Sequence, residues 1–171
     1  NGGCCGLSAV DDARRVAQML GIPYYVMNFR SEFKEAVIDY FVAEYMAGRT
    51  PNPCTLCNPT VKFRALCAHA DAIGAEKIAT GHYVRTENGA LYRAPSANDQ
   101  SYMLCRLTRQ QAARMLLPLG GYEKTQVRAM AESFGLDTAK KPDSMEICFI
   151  PGDYRDFLRS AVPGIDERFG G

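Results

Sequence analysis

The chain has 171 residues, of which 47% are apolar and 23% charged, and its formal net charge is +1. These values are typical of a globular protein with a substantial core and do not indicate a general polyanion-binding surface. No apolar run is long enough to cross a bilayer and no signal-peptide pattern opens the sequence, so we expect a cytoplasmic location and no membrane partner. The seven cysteines are an odd number without regular spacing, which argues against a secreted disulfide framework.

The first half of the chain alternates helical and strand-like patterns. Apolar residues recur at helical spacing in three segments, and two short segments are almost continuously apolar, as in strands buried on both faces. The predicted elements are a helix over 8–20, a strand over 23–29, a helix over 31–47, a helix over 58–73 capped by Asn58, and a strand over 76–80.

The second half contains one strong turn signal, Asn88-Gly89, which predicts a hairpin over 84–93. After the hairpin, apolar residues again recur at helical spacing. In the helix predicted over 123–134, the face that includes Phe134 is expected to point inward. The predicted elements are helices over 99–107, 108–116 and 123–134, an irregular segment over 140–150, and a short helix over 153–161.

Helices alternating with buried strands predict an α/β fold with a doubly wound, mostly parallel sheet. Ligands of such sheets bind beyond the carboxyl ends of the strands. The residues immediately after the two predicted strands are therefore candidates for a site: Asn28 and Phe29 after one, Gly81 and His82 after the other.

The residue pair with the clearest chemical signal is Cys54 and Cys57, in a loop stiffened by Pro51 and Pro53. Prolines restrict the backbone on both sides, so such a loop presents a thiol in a defined direction. The positive end of a helix capped by Asn58 would lower the pKa of a nearby thiol. The alternative is that both cysteines are simply small apolar residues.

Other cysteine chemistry is less well supported. A structural zinc site needs four nitrogen or sulfur ligands, but the chain has no second pair at this spacing and only two distant histidines. A thioredoxin-like pair should follow a strand directly. Cys67 has the spacing of a core residue, and Cys105 is ambiguous but expected to be packed. Cys4 and Cys5 lie in a glycine-rich end, and Cys148 between Ile147 and Phe149 is compatible with either a core or a functional role.

A set of motifs spread over nearly the whole chain resembles the bacterial tRNA-specific 2-thiouridylases, or tRNA-uridine 2-sulfurtransferases. The motifs occur in the order of that family. They are Ala47-Gly48-Arg49-Thr50-Pro51-Asn52-Pro53-Cys54-Thr55-Leu56-Cys57-Asn58, Lys62-Phe63, Ala79-Thr80-Gly81-His82-Tyr83, Asn98-Asp99-Gln100-Ser101-Tyr102, Pro118-Leu119-Gly120, Lys141-Pro142-Asp143-Ser144 and Glu146-Ile147-Cys148-Phe149-Ile150.

The resemblance implies a fold of the adenine-nucleotide alpha-hydrolase (PP-loop ATP pyrophosphatase) type and an enzyme that replaces the C2 oxygen of the wobble uridine of tRNA with sulfur. ATP, with Mg²⁺, would adenylate the oxygen, and a persulfide sulfur-donor protein would supply sulfur through a covalent carrier. By position, Cys148 matches the persulfide-bearing cysteine and Cys57 its partner thiol, which would leave a disulfide to be reduced.

The same resemblance implies roles for residues outside the two thiols. Gly81 matches a nucleotide-contacting glycine. The loop that meets the target base corresponds to Asn52, Pro53 and Cys54, and a tRNA-contacting segment corresponds to Asn98, Asp99 and Gln100.

Two departures from the family pattern leave alternatives open. Some members have Asp where this chain has Cys54, so general-base catalysis there would need a thiol of lowered pKa. Cys54, Cys57 and Cys148 could instead hold three irons of a [4Fe–4S] cluster.

The second departure is that the Ser-Gly-Gly-Val-Asp-Ser phosphate loop of the family is not found, and Gly2-Gly3 is no substitute for it. We expect residues 1–160 to be a catalytic domain without its first strand and phosphate loop, and 161–171 to start another domain. Alone, the chain would bind ATP poorly and be inactive. A non-catalytic remnant of a nucleotide-binding fold is the remaining alternative.

Overall fold

A computed structural model describes residues 7–141 and 147–169. The predicted features at Cys4, Cys5 and Pro142–Glu146 lie outside these residues. Within these ranges no helix has the length and hydrophobicity needed to cross a membrane. The helices are α1 Leu7–Leu20, α2 Arg30–Phe33, α3 Asp39–Met46, α4 Pro53–Cys57, α5 Phe63–Ala72, α6 Arg109–Ala113, α7 Lys124–Ser133, α8 Tyr154–Ala161 and α9 Ile165–Phe169.

Two π-helical turns join neighbouring helices. Lys34–Ile38 connects α2 to α3, and Asn58–Lys62 connects α4 to α5, so that each pair forms one continuous helical segment. Short 3₁₀ turns lie at Ser101–Leu104 and Asp137–Lys140. π-helical turns are rare and occur preferentially near functional sites, and the second follows Cys57 directly.

The strands form one parallel and one antiparallel pair. β1 Ile78–Ala79 pairs with β4 Met115–Leu116, and Ile78 lies opposite Met115. β2 Val84–Glu87 and β3 Ala90–Arg93 form the hairpin. Its turn residues Asn88 and Gly89 have φ values of 50° and 76°, the positive values that a two-residue type I′ turn requires.

Three hydrophobic clusters make up the core of the described residues. The first, here the sheet cluster, lies around β1, β2 and β4; the second, the cysteine cluster, contains Cys57; the third, the C-terminal cluster, lies between α3 and α8. Their buried members are Phe63, Ala70, Ile78, Val84, Leu104 and Met115 in the sheet cluster, Val37, Cys57 and Val61 in the cysteine cluster, and Phe41, Ile150 and Leu158 in the C-terminal cluster.

Several predictions from the sequence are confirmed. Helices cover the segments predicted over 8–20, 31–47, 123–134 and 153–161, with shifts of one or two residues at their ends. The hairpin has the predicted bounds and turn, and β1 lies inside the strand predicted over 76–80. An α/β architecture with parallel strands is therefore present.

The predicted buried strand over 23–29 is wrong. The segment has no regular structure and Tyr25 is 71% exposed. A strand buried on both faces needs paired neighbours, and no described strand pairs with this segment. It is tied instead through Tyr24, whose hydroxyl donates to the Val10 carbonyl oxygen at 2.9 Å. The apolar face predicted for α1 is only partly covered, since Ala17 is buried but Leu20 is exposed.

The boundaries of three predicted helices are also corrected. The helix predicted to start at Asn58 begins at Pro53, so Cys54 and Cys57 lie in a helix and not in a loop. Only Ser101–Leu104 is helical within 99–107, and Asp99 accepts a hydrogen bond from the N–H of Ser101 at the start of this turn. The end of the segment predicted as a helix over 108–116 is strand β4, whose parallel partner β1 lies far away in sequence.

The inward orientation predicted for Phe134 is wrong, because its side chain is 70% exposed. Apolar spacing gives α7 one apolar face, but no residue of this helix is buried. Helical periodicity predicts the helix itself, whereas the covering of its face depends on what packs there.

Among the described glycines, Gly120 lies closest to another part of the backbone. A Cβ atom there would clash with the Val84 carbonyl oxygen at the start of β2. We expect Gly120→Ala to lower the free energy of unfolding by about 1–3 kcal/mol or more, as overpacking does, in a urea titration. Gly121→Ala is the matched control, since nothing lies within 4 Å of its Cβ position; equal losses in the two variants would contradict this explanation.

Candidate functional site

Cys54 and Cys57 are positioned by the start of helix α4. Asn52 is extended and its side-chain oxygen accepts a hydrogen bond from the Cys54 N–H at 3.0 Å. Pro53 occupies the first turn, where the absence of an N–H costs nothing. Asn before Pro is a strong helix-start signal, so the local sequence explains why the helix begins here and not at Asn58.

The two thiols differ in exposure. Cys57 is only 7% exposed and belongs to the cysteine cluster with Val37 and Val61, whereas Cys54 is half-buried. Of the residues predicted to meet the target base, Asn52 is exposed and Pro53 is buried. Asn52 and part of Cys54 are therefore exposed at this helix start.

Cys148 is half-buried, and its neighbours Ile147 and Phe149 hold it in place. Phe149 packs edge-on against Phe33, Phe41 and Phe157 with ring centroids 5.4–5.6 Å apart. The same side chain packs on the cysteine cluster, which contains Cys57, and on the C-terminal cluster. Phe149 therefore joins the Cys148 segment to the cluster that contains Cys57.

The segment Asn98–Gln100 is fixed by its own polar side chains. Asp99 accepts hydrogen bonds from Ala94 N–H at 2.8 Å and from the Ser101 hydroxyl at 2.7 Å. Burial raises the pKa of Asp99, but these hydrogen bonds and the positive charge of Arg93 outweigh burial, so its pKa is lowered. Two of the three predicted tRNA-contacting side chains therefore have partners inside the protein: Asp99, and Gln100, whose side-chain oxygen accepts from Tyr83 N–H.

Asn98 differs from its two neighbours because it is exposed. Its backbone N–H donates to the Ser96 hydroxyl at 3.1 Å, and Ser96 in turn donates to Glu123 at 3.0 Å. The loop is thus anchored to the start of α7 and presents the Asn98 side chain on the surface.

Gly81 and His82 follow the carboxyl end of β1, as predicted. Gly81 is exposed, and a Cβ atom there would make only ordinary contact, 3.7 Å from Leu119 Cδ1. His82 is half-buried, with Nδ1 2.9 Å from the Thr80 hydroxyl and its ring 6.1 Å from that of Phe63. Burial lowers the pKa of His82 and the charge of Lys62 lowers it further, which favours the neutral imidazole.

The described residues fit a nucleotide better than they fit an iron–sulfur cluster. The open backbone at Gly81 is compatible with the approach of a nucleotide. In residues 7–141 and 147–169, no three His, Cys, Asp or Glu side chains lie close enough together to hold a metal ion. Cys54, Cys57 and Cys148 therefore do not form a ready set of cluster ligands in this conformation, and we derive no step through an iron–sulfur cluster.

Asn58, which follows Cys57 directly, does not cap a helix as the sequence predicts. It is 2% exposed and lies inside the continuous helical segment, where its side-chain amide donates to the Met103 carbonyl oxygen at 3.0 Å. Its side-chain oxygen is buried without a hydrogen-bond partner, which typically costs about 1–3 kcal/mol. A polar residue directly after Cys57 and among apolar helix positions is the signal that could have identified it.

Comparison with known proteins identifies the chain's relatives. A family described as the tRNA methyl transferase HUP domain matches residues 1–152. The chain is 58% identical to the tRNA-specific 2-thiouridylase MnmA of Lachnoclostridium phytofermentans over 96% of the chain and 49% of that protein. It is 53% identical to the protein of the same name from Heliobacterium modesticaldum, over 98% of the chain and 45% of that protein. It is 56% identical to the one from Pelotomaculum thermopropionicum, over 95% of the chain and 47% of that protein.

These matches confirm the resemblance that the motifs predict. The chain spans about half the length of the curated relatives it matches. The similarity covers the cysteine helix, the Asn98–Gln100 segment and Cys148 alike, since it extends over nearly the whole chain.

Phe149 is expected to contribute to stability as well as to the placement of Cys148. We expect Phe149→Ala to lower the free energy of unfolding by about 2–4 kcal/mol, because it removes a ring that joins two clusters. Phe134→Ala removes the same atoms from an exposed position and should cost less than about 0.5 kcal/mol. Chemical unfolding followed by circular dichroism measures both, and similar losses would argue against this role for Phe149.

His82 makes stability depend on pH in a defined direction. Its pKa is lowered in the folded state from the model-compound value of 6.5, so the unfolded chain binds a proton more readily near and below that pH. The contribution of neutral His82 to stability is fully present above the pKa that this residue has in the unfolded chain. It is lost as the pH falls below 6.5. We expect His82→Gln to flatten the fall of the melting temperature between about pH 7 and pH 5; an unchanged slope in this variant would refute the assignment.

Proposed function

Since the chain belongs to the family of tRNA methyl transferase HUP domains, we propose that it carries the sulfur-transfer centre of an ATP-dependent tRNA-uridine 2-sulfurtransferase. The main support is the packing of Phe149, the neighbour of Cys148, on the cluster that contains Cys57. The names of relatives more than 50% identical to the chain agree with this function.

In the proposed reaction Cys148 receives sulfur from a persulfide on a donor protein and holds it as its own persulfide. The thiolate of Cys57 attacks the Sγ atom of Cys148, and the persulfide S–S bond breaks. The bonding electron pair leaves with the outer sulfur as hydrosulfide, while a Cys57–Cys148 disulfide forms. A thiol reductant then supplies two electrons to restore both cysteines.

The uridine must be activated before hydrosulfide can replace its oxygen. ATP, with Mg²⁺, supplies the adenylyl group that turns the C2 oxygen of the wobble uridine into part of a leaving group, with loss of the N3 proton and release of pyrophosphate. Hydrosulfide adds at C2, AMP departs with the former C2 oxygen, and the hydrosulfide proton returns to N3. Partial burial of the two cysteines limits the access of water to the persulfide, which favours transfer over loss of the sulfur.

The placement of the remaining residues follows from this function. β1 and β4 would be neighbours in a larger doubly wound parallel sheet, whose ligands lie beyond the carboxyl ends of the strands. Gly81 follows β1 and would lie against the nucleotide. The exposed Asn52 and Asn98 would contact tRNA, while Asp99 and Gln100 hold the Asn98 loop in shape. A tRNA substrate and a thiol reductant both point to the cytoplasm.

The two cysteines are tested in the full-length gene product that contains residues 1–171, because the phosphate loop of the family is not in this sequence. We expect Cys148→Ser and Cys57→Ser each to reduce 2-thiouridine formation by about 10³-fold or more, since each removes a covalent participant. Mass spectrometry of digested tRNA measures the product. Filter binding should give unchanged tRNA affinity.

The matched control is Cys105→Ser, which changes an exposed thiol outside the proposed site and should retain full activity. Equal loss of tRNA binding in Cys148→Ser would contradict a role in sulfur transfer. An anaerobic preparation whose brown colour needs Cys54, Cys57 and Cys148 together would replace the persulfide route with a cluster. Full-length protein that forms no 2-thiouridine from ATP, tRNA and a sulfur donor would favour a non-catalytic remnant.

A further inference from the structure

Two amide side chains fasten the π-helical turn Asn58–Lys62 to a distant part of the chain. The Asn58 amide donates to the Met103 carbonyl oxygen at 3.0 Å. The Gln111 amide donates to the Pro59 carbonyl oxygen at 3.1 Å. The turn directly after Cys57 is therefore held at two points by residues of the segment between β3 and β4.

Met103 links this attachment to the Asn98–Gln100 segment. It lies in the 3₁₀ turn Ser101–Leu104, and its N–H donates to the Gln100 carbonyl oxygen at 3.0 Å. Asp99 fixes the start of the same turn through the Ser101 hydroxyl. Asn58 thus connects its chain neighbour Cys57 to the segment that we place against tRNA, through one side-chain hydrogen bond and one short turn.

The chemistry of the Asn58 side chain indicates that this connection has a function beyond stability. The Met103 carbonyl can only accept, so the amide nitrogen must face it and the amide oxygen must point elsewhere. That oxygen is buried without a partner, which costs free energy. An apolar residue would fill the space without this cost, but it would not fix the distance and direction between the two segments.

The geometry of the π-helical turn explains why a hydrogen bond that holds α4 in place is needed. In this turn the Phe63 N–H donates to the Asn58 carbonyl oxygen, five residues back, and not to the residue four back as in an α-helix. Relaxation to ordinary α-helical geometry would rotate α4, with Cys57, relative to α5. The hydrogen bond from Asn58 to Met103 opposes that rotation.

We propose that Asn58 is a positioning residue for sulfur transfer, which holds Cys57 at a fixed distance and orientation from the tRNA-contacting segment Asn98–Gln100. The proposal rests on the proposed function. It assigns Asn58 no contact with the substrate and no part in bond making.

The first test measures the reactivity of Cys57 and needs no catalysis. In Asn58→Ala we expect alkylation of Cys57 by iodoacetamide, quantified by peptide mass spectrometry, to accelerate about fivefold or more, since local loosening exposes buried groups. Cys67, on α5, is the internal control and should react at the wild-type rate. Thr60→Val is the matched variant, because it removes a hydrogen bond of the same turn that stays within the helix, from the Thr60 hydroxyl to the Leu56 carbonyl oxygen.

The second test measures 2-thiouridine formation by the full-length gene product. We expect Asn58→Ala to lower kcat about 10- to 100-fold, as misplacement of a reacting group does, while KM for tRNA changes less than about threefold. Thr60→Val should keep both values. Asn58→Ser, whose hydroxyl is too short to reach the Met103 carbonyl, should match Asn58→Ala.

Each outcome decides the proposal. Unchanged Cys57 alkylation in both Asn58 variants overturns it. Parallel acceleration at Cys57 and Cys67, or failure of both variants to fold, identifies Asn58 as a structural residue only and overturns it as well. If the wild-type protein forms no 2-thiouridine, the proposed function fails on its own, and the alkylation rates still decide whether Asn58 fixes Cys57.

Discussion

The side chain of Phe149 is the contact on which the proposed site depends. Its ring packs on both the cysteine cluster and the C-terminal cluster, so displacing the chain around Cys148 would open both. Edge-to-face aromatic pairs add a directional preference to the area that each ring buries. Phe149, the neighbour of Cys148, therefore anchors this part of the chain.

Local signals predict those parts of the fold whose cause is local. The helix at 123–134 has periodic apolar residues, the hairpin has Asn88-Gly89 at its turn, and each forms as expected. The failures have non-local causes. Residues 23–29 are apolar enough for a strand but have no described strand to pair with, whereas Met115–Leu116 is a strand only because β1 lies beside it.

The candidate site shows the same division between features with local causes and features with non-local causes. Asn52-Pro53 is a local signal for the helix start, because capping is encoded by adjacent residues, but prolines are also typical of loops. The burial of Asn58 and its bond to Met103 join positions 45 residues apart, and no single-sequence pattern contains that information. The contacts show how Asp99 and Gln100 shape a loop that presents Asn98.

The wide helical turn at Asn58–Lys62 has a consequence for how one helix can serve two cores. Cys57 and Val61 belong to the cysteine cluster, whereas Phe63 and Ala70 belong to the sheet cluster. Phe63 follows Cys57 by six residues, which at about 100° per residue places the two side chains on different sides of the helix, so one continuous segment can pack on both clusters. The wide turn sets the rotation of α4 relative to α5, so deleting one residue from it would turn one of the two sets away from its cluster.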